Sequence, residues 1–127
     1  MKKKKIVSDN YLLKLWRKVI LLKYNNRCAF CGFPGPLEAH HIVKRRNKIL
    51  RYDSENGMAL CSACHREADL IEGRVRVAEI VGEDCYYNYL AFYERMTYKQ
   101  YLFENCMSDN EFLITQKEEL KKLIKED

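Results

Sequence analysis

Four of the six cysteines and all three histidines of this 127-residue chain lie between positions 28 and 65. The cysteines form two Cys-x-x-Cys pairs, Cys28/Cys31 and Cys61/Cys64. Two such pairs complete the tetrahedral shell of thiolates that zinc prefers. We therefore predict a closed structural zinc site, whose ligands hold the fold and take no part in a reaction.

The three histidines need a separate explanation, because a closed zinc site leaves no position for them. His40 and His41 are neighbours in a predicted strand, where adjacent side chains point to opposite faces. We expect one of them to bind a second ion and the other to approach a water molecule. His65 lies in the first turn of a predicted helix, from which it can face the strand that carries His40.

This arrangement suits phosphodiester hydrolysis, which needs an activated water and a cation that stabilises developing negative charge. A histidine with a pKa near ~6.5 is neutral and able to accept a proton at cellular pH. Mg²⁺ prefers oxygen ligands, whereas paired imidazoles favour Mn²⁺, Co²⁺, Ni²⁺ or Zn²⁺.

The elements that must position these residues predict an α+β chain. A helix is expected over residues 9–24, with Ser8 or Asp9 as its N-cap. Its apolar face comprises Leu12, Leu15, Trp16, Val19 and Leu22. After a turn at 32–36, strands at 37–43 and 57–60 form a hairpin, followed by a helix that begins near Cys61 and brings the unit to about residue 72.

The distal half carries fewer signals. Residues 74–82 fit either a strand or a helix, and the aromatic-rich residues 85–105 predict a helix with a break near Thr97. We expect the aromatic side chains to pack in a core rather than to stack on bases. Cys85 and Cys106 are expected to be buried small apolar residues. Ser108 and Glu111 form a capping box that starts a final helix, with an apolar face of Phe112, Leu113, Leu120, Leu123 and Ile124.

These signals divide the chain into a basic tail and helix at 1–24, a zinc-bound module at 25–72 and a mostly helical extension at 73–127.

Residues 1–60 carry 14 Lys and Arg against 4 Asp and Glu, whereas residues 61–127 carry 9 against 14. This asymmetry predicts a surface that faces a polyanion; a solvated tail and helix face are the alternative. The expected phosphate contacts are Lys44, Arg45, Arg46 and Arg51, of which Arg46 and Arg51 are preferred. A solvated loop is the alternative for all four.

The motif resembles that of the HNH nucleases with a four-cysteine zinc site, which have the ββα-metal (His-Me finger) fold. The matching positions are Cys28-x-x-Cys31, Ala39-His40-His41-Ile42, Asn56, and Cys61-x-x-Cys64-His65. The resemblance implies that His40 and His65 bind a catalytic divalent ion, with Mg²⁺ or Mn²⁺ expected and Ni²⁺ or Zn²⁺ as alternatives. It implies that His41 is the general base, and that Asn56 either holds the loop that orients His41 or helps to bind the ion.

The wider sequence is similar to phage-type HNH proteins, including Rap-type recombination endonucleases that cut branched DNA. We thus expect a DNA endonuclease that makes one nick per site, so that a double-strand cut needs a homodimer or two visits. A non-catalytic zinc-ribbon DNA-binding protein and a protein-interaction adaptor are the alternatives. No apolar run reaches the ~20 residues of a membrane span, and no secretory signal is recognisable. We expect reduced cysteines and a cytoplasmic protein of a bacterial or phage-infected cell.

Overall fold

The computed structural model describes residues 7–125 and confirms the α+β class. Its elements, in chain order, are α1 Asp9–Lys23, β1 Glu38–His41, β2 Gly57–Leu60, α2 Ser62–Ala68, α3 Ile71–Val81, a π-helical segment Asp84–Leu90, α4 Ala91–Glu94, α5 Tyr98–Glu104 and α6 Asp109–Lys125. The predicted basic tail lies outside the described residues, except for Val7, which is buried.

The two strands pair antiparallel, with His41 opposite Gly57 and His40 opposite Met58. Strand β2 has its predicted bounds, but β1 ends two residues earlier than predicted. The side chain of Asn56 explains the shortening, because it hydrogen-bonds both the N–H and the carbonyl of Val43. The backbone of Val43 therefore turns towards a side chain instead of extending the strand.

Helix α1 packs against α6 beside the hairpin. Ser8 is the N-cap, since its side chain accepts a hydrogen bond from the Tyr11 N–H at 3.2 Å. After Lys23 the chain reverses through Asn25 and Asn26, both with φ of 56°, a left-handed conformation that asparagine tolerates better than most residues.

The core between α1 and α6 contains most of the predicted apolar residues, but not all of them. Its fully buried members include Leu12, Trp16, Val19, Ile20, Phe112, Leu113 and Leu120. Ile20 was not predicted, and the placement of Leu22 and Leu123 in the apolar faces is wrong. These two leucines line a surface groove between the helices and are about 44% and 42% exposed.

Helix α3 settles the ambiguity at residues 74–82 in favour of a helix. It follows α2 after two residues, and Gly73 makes the close turn possible. A β-carbon at Gly73 would lie 1.9 Å from the carbonyl oxygen of Glu67, so any side chain there would collide with the backbone of α2.

The aromatic segment is helical and breaks at Thr97, which caps α5 by accepting a hydrogen bond from the Gln100 N–H. The core-packing prediction holds in part. Tyr89, Tyr93 and Tyr101 are half-buried and form edge-to-face pairs, whereas Phe92 and Phe103 are exposed.

The predicted burial is wrong for Cys106 and holds only in part for Cys85, which packs against the cluster of Val43, Ile49, Leu50 and Leu90. Cys106 is exposed in a left-handed turn between α5 and α6, where φ is 52°, and Cys85 is half-exposed beside Glu55. The predicted capping box is confirmed, because Ser108 and Glu111 exchange side chain-to-backbone hydrogen bonds of 3.0 and 3.1 Å. Among the helices within residues 7–125, none combines the length and apolar character that a membrane crossing requires.

Candidate active site

The four paired cysteines meet at one point, as predicted. Their sulfur atoms all lie within 4.8 Å of one another, and those of Cys31 and Cys61 are 3.8 Å apart. A tetrahedral zinc ion with Zn–S bonds of about 2.3 Å sets its sulfur atoms about 3.8 Å apart, so the cluster has the size that such an ion needs.

Backbone geometry prepares the cluster for a cation. Burial tends to raise the pKa of the Cys28 thiol, but hydrogen bonds from the backbone N–H groups of Cys61, Cys31 and Phe30 outweigh it and lower the pKa to about 6. Burial and the neighbouring sulfur atoms raise the pKa of Cys64 instead. Four sulfur atoms this close together suit a positive ion that compensates the charge of their thiolates, which agrees with a structural zinc site.

The zinc cluster and His65 share the first turn of α2. Cys61 is the N-cap of this helix, and its carbonyl accepts a hydrogen bond of 2.8 Å from the His65 N–H. The His65 ring meets the His40 ring edge-on, with 5.0 Å between the ring centroids. His40 is buried at 5% exposure, whereas the side chain of His65 is 34% exposed.

Both rings have a nitrogen suited to a metal ion. The Nδ1 atom of His65 donates to the carboxylate of Glu38 at 2.5 Å, which leaves the lone pair of the neutral ring on Nε2. Burial lowers the pKa of His40 to about 4. The charge of Asp69 raises the pKa, whereas the positive charge of Lys44 lowers it further. A neutral His40 ring offers a lone pair to a cation.

His41 faces the opposite side of the strand from His40. Its Nε2 atom lies 2.9 Å from the carbonyl oxygen of Arg51. A carbonyl only accepts, so Nε2 carries the hydrogen and the neutral ring has its lone pair on Nδ1. One face of the His41 ring stacks on the Trp16 ring, with 3.8 Å between the ring centroids and 9° between the ring planes.

Asn56 is fully buried and uses its whole amide on the loop between the strands. Its Oδ1 atom accepts from the Val43 N–H at 2.6 Å, and Nδ2 donates to the carbonyls of Val43 and Leu50 at 3.0 Å each. The amide thus ties both ends of the loop together, next to the Arg51 carbonyl that contacts His41.

The four loop residues predicted to contact phosphate separate into two pairs. Lys44 and Arg46 line a cavity of about 330 Å³ together with His40, and Lys44 bonds Asp69 at 2.7 Å. Arg45 and Arg51 lie near Asp9 of α1, at 3.5 and 3.4 Å. Arg51 also donates to the Arg45 carbonyl at 2.8 Å, so its guanidinium group is largely occupied within the protein.

Sequence reasoning missed several residues of this site. Asp69 lies four residues after His65, a helical spacing that puts both on one face and could have revealed it. Glu38 lies two residues before His40, on the same strand. Nothing in the sequence pointed to Trp16, or to Arg74 and Glu94, which reach the cavity from α3 and α4.

Comparison with known proteins agrees with the geometry of the site. The family model described as HNH endonuclease matches residues 28–69, about a third of the chain. The match begins at the first zinc cysteine and ends at Asp69 in the cavity. No curated protein and no solved structure matches the chain, so the narrower resemblance to phage-type and Rap-type enzymes stays a prediction.

Proposed function

We propose that this protein is a metal-dependent DNA endonuclease in which His41 activates the attacking water. The observation that carries the proposal is the hydrogen bond from His41 Nε2 to the Arg51 carbonyl. It assigns the free lone pair to Nδ1, the atom that would take a proton from water. The HNH match over residues 28–69 supports the same reaction class.

His40 and His65 would hold the catalytic ion on the other face of the strand. Their ring centroids are 5.0 Å apart, and Glu38 fixes the ring of His65. A bound divalent ion would supply positive charge that stabilises the phosphate and the leaving oxygen during hydrolysis. Two imidazole ligands favour Mn²⁺, Ni²⁺ or Zn²⁺, while the nearby carboxylate of Asp69 suits Mg²⁺ and Mn²⁺.

The remaining residues of the site either hold the proposed catalytic residues in place or would bind DNA. Asn56 keeps the loop in the form that presents the Arg51 carbonyl to His41, which supports the first of its two expected roles. The zinc cluster sets the start of α2 and therefore the position of His65. Lys44 and Arg46 line the cavity beside His40, where they would contact DNA phosphates.

The decisive experiment is a cleavage panel with supercoiled plasmid, linear duplex, single strand and a four-way junction. Each substrate is incubated separately with Mg²⁺, Mn²⁺ and Ni²⁺. We expect cleavage by the wild-type protein, and a loss of about 10²–10⁴-fold in His41→Ala because the general base is removed. Zinc content and DNA affinity should stay within twofold of wild type, on the order of experimental scatter.

Preferential cutting of the junction would support a role on branched DNA, and linear products from plasmid without a nicked precursor would support a homodimer. A non-catalytic zinc-ribbon protein predicts another outcome: salt-sensitive DNA binding, but no cleavage with any ion. Wild-type cleavage that His41→Ala retains in full would overturn the assignment of the base.

A further inference from the structure

The stack of Trp16 on His41 joins the proposed base to a helix outside the HNH-matched segment. The two rings are almost parallel, and Trp16 is only 2% exposed. The indole N–H donates to the Asp53 carbonyl at 2.9 Å, so the outer edge of the indole is also fixed. The tryptophan ring thus has little freedom to move away from the imidazole.

Gly57, on the strand opposite His41, is a second observation that concerns the position of this indole. Gly57 pairs with His41, and a β-carbon at Gly57 would lie 2.8 Å from Trp16 Cζ2 and 2.4 Å from Ile20 Cδ1. These distances are shorter than van der Waals contact, and a flat indole in a packed core cannot bend away. Glycine at this position therefore allows Trp16 to lie against the hairpin.

A hydrogen bond at one ring atom does not by itself fix an imidazole. The second side-chain torsion of histidine has broad minima, so the ring can tilt while Nε2 stays near its acceptor. A parallel aromatic surface at 3.8 Å removes this tilt by steric contact. The Arg51 carbonyl therefore determines which nitrogen of His41 has the lone pair, and Trp16 determines the plane of the ring in which that lone pair lies.

We propose that Trp16 is a positioning residue for the proposed DNA-cleavage reaction, and that it sets the plane of the His41 ring. The inference rests on the proposed function, because that function makes His41 the general base whose orientation matters. Misplacement of a reacting group by about 1 Å can lower a rate about 100-fold, so loss of the stack is expected to affect the chemical step.

The kinetic test compares three variants under conditions in which each remains folded. Trp16→Leu keeps an apolar core but removes the flat surface, and we expect kcat to fall at least about 10-fold with KM for DNA unchanged. Trp16→Phe retains a stacking ring and should keep kcat within about threefold of wild type. Leu12→Ala is the matched control, because Leu12 is fully buried in the same core and has no aromatic ring to stack on His41.

Gly57→Ala tests the same contact without removing a functional group. The added methyl group would meet Ile20 Cδ1 at 2.4 Å and Trp16 Cζ2 at 2.8 Å. We expect it to shift both side chains and to lower kcat while zinc content is preserved. Trp16 is the only tryptophan of the chain, so its fluorescence reports this displacement directly. An unshifted spectrum with wild-type kcat is the result expected if Ile20 alone yields, whereas a shifted spectrum with wild-type kcat would contradict the inference.

Nitrogen-15 NMR of the histidine side chains supplies a readout that a general loss of stability would not move. At a fixed neutral pH, wild type, Trp16→Phe and Leu12→Ala should have the Nε2–H form of His41 and ring protons shifted upfield by the adjacent aromatic ring. Trp16→Leu should lose the upfield shift. If Trp16→Leu cleaves DNA like wild type, or loses no more kcat than Leu12→Ala, this inference is wrong and the proposed function remains; if wild type fails to cleave, both are wrong.

Discussion

At the scale of single residues, the surroundings of His41 keep the ring neutral. Burial lowers its pKa most, and the charges of Arg45 and Arg51 lower it further. The contact with the Arg51 carbonyl and the charge of Asp9 act in the opposite direction but do not compensate. A neutral imidazole is the form that accepts a proton, so these contacts favour the proposed base at cellular pH.

The acid limb of the cleavage rate should therefore have a midpoint below the ordinary histidine pKa of about 6.5. Below that midpoint His41 is protonated and inactive as a base, and above it the rate reaches a plateau. A divalent ion at His40 would shift the midpoint in the same downward direction. The measurement is kcat/KM against pH at saturating Mn²⁺, with zinc content monitored throughout.

Arg45→Ala provides a matched variant for this profile. It removes one positive charge that disfavours the imidazolium, so the midpoint should move upward, by a small amount because Arg45 is 60% exposed. A midpoint above about 6.5 in the wild-type protein, or a downward shift in the variant, would contradict the proposed electrostatics.

At the scale of elements, the corner between α2 and α3 depends on Gly73. Gly73→Ala should improve helix propensity, yet its β-carbon would meet the Glu67 carbonyl at 1.9 Å, and backbone is costly to move. We expect the clash to prevail and the free energy of unfolding to fall by about 1–3 kcal/mol. Urea denaturation measures this change.

Glu72→Ala is the control for the corner, because Glu72 is an exposed neighbour on the same helix. Its effect should stay within about 0.5 kcal/mol. A Gly73→Ala variant that is more stable than wild type would contradict this prediction, because it would mean that the backbones of α2 and α3 move apart with no loss in the free energy of unfolding.

The elements that sequence could predict are those specified by local signals. The Ser8 cap, the α6 capping box, the break at Thr97 and the bounds of β2 each depend on residues within a few positions. The end of β1 does not, because Asn56 acts on Val43 across 13 residues. The π-helical segment Asp84–Leu90 also had no recognised signal.

The same distinction applies to the candidate site. The cysteine pairs and the histidines follow from residue type and spacing, and Asp69 was detectable from its helical spacing to His65. Trp16 was not, since it resembles any apolar residue on a core-facing helix until the tertiary contact with His41 is known. Its contribution depends on packing between distant segments, which one sequence does not encode in a local pattern.

At the scale of the whole molecule, the predicted phosphate contacts differ in their exposure. Arg46 is exposed beside the His40 cavity, whereas Arg51 is 21% exposed and bonded to Asp9. Arg46→Ala should weaken DNA binding and reduce the slope of log affinity against log salt by about one. Fluorescence anisotropy with labelled duplex over a salt series measures both.

Arg51→Ala is the matched comparison. It removes the same charge from the same loop, but we expect its salt slope to stay at the wild-type value and its thermal stability to fall, because the Asp9 contact is lost. Equal slopes for wild type and Arg46→Ala would argue against a phosphate contact at the cavity.

The stack of Trp16 on His41 also limits how this protein can be re-engineered. A graft of residues 28–69 alone would transfer all four zinc ligands and all three histidines into a new host. It would omit α1, so one face of the His41 ring and the space above Gly57 would open to solvent. A transplantable unit that keeps the proposed base in place therefore includes α1, and libraries that vary Gly57 should vary Trp16 and Ile20 with it.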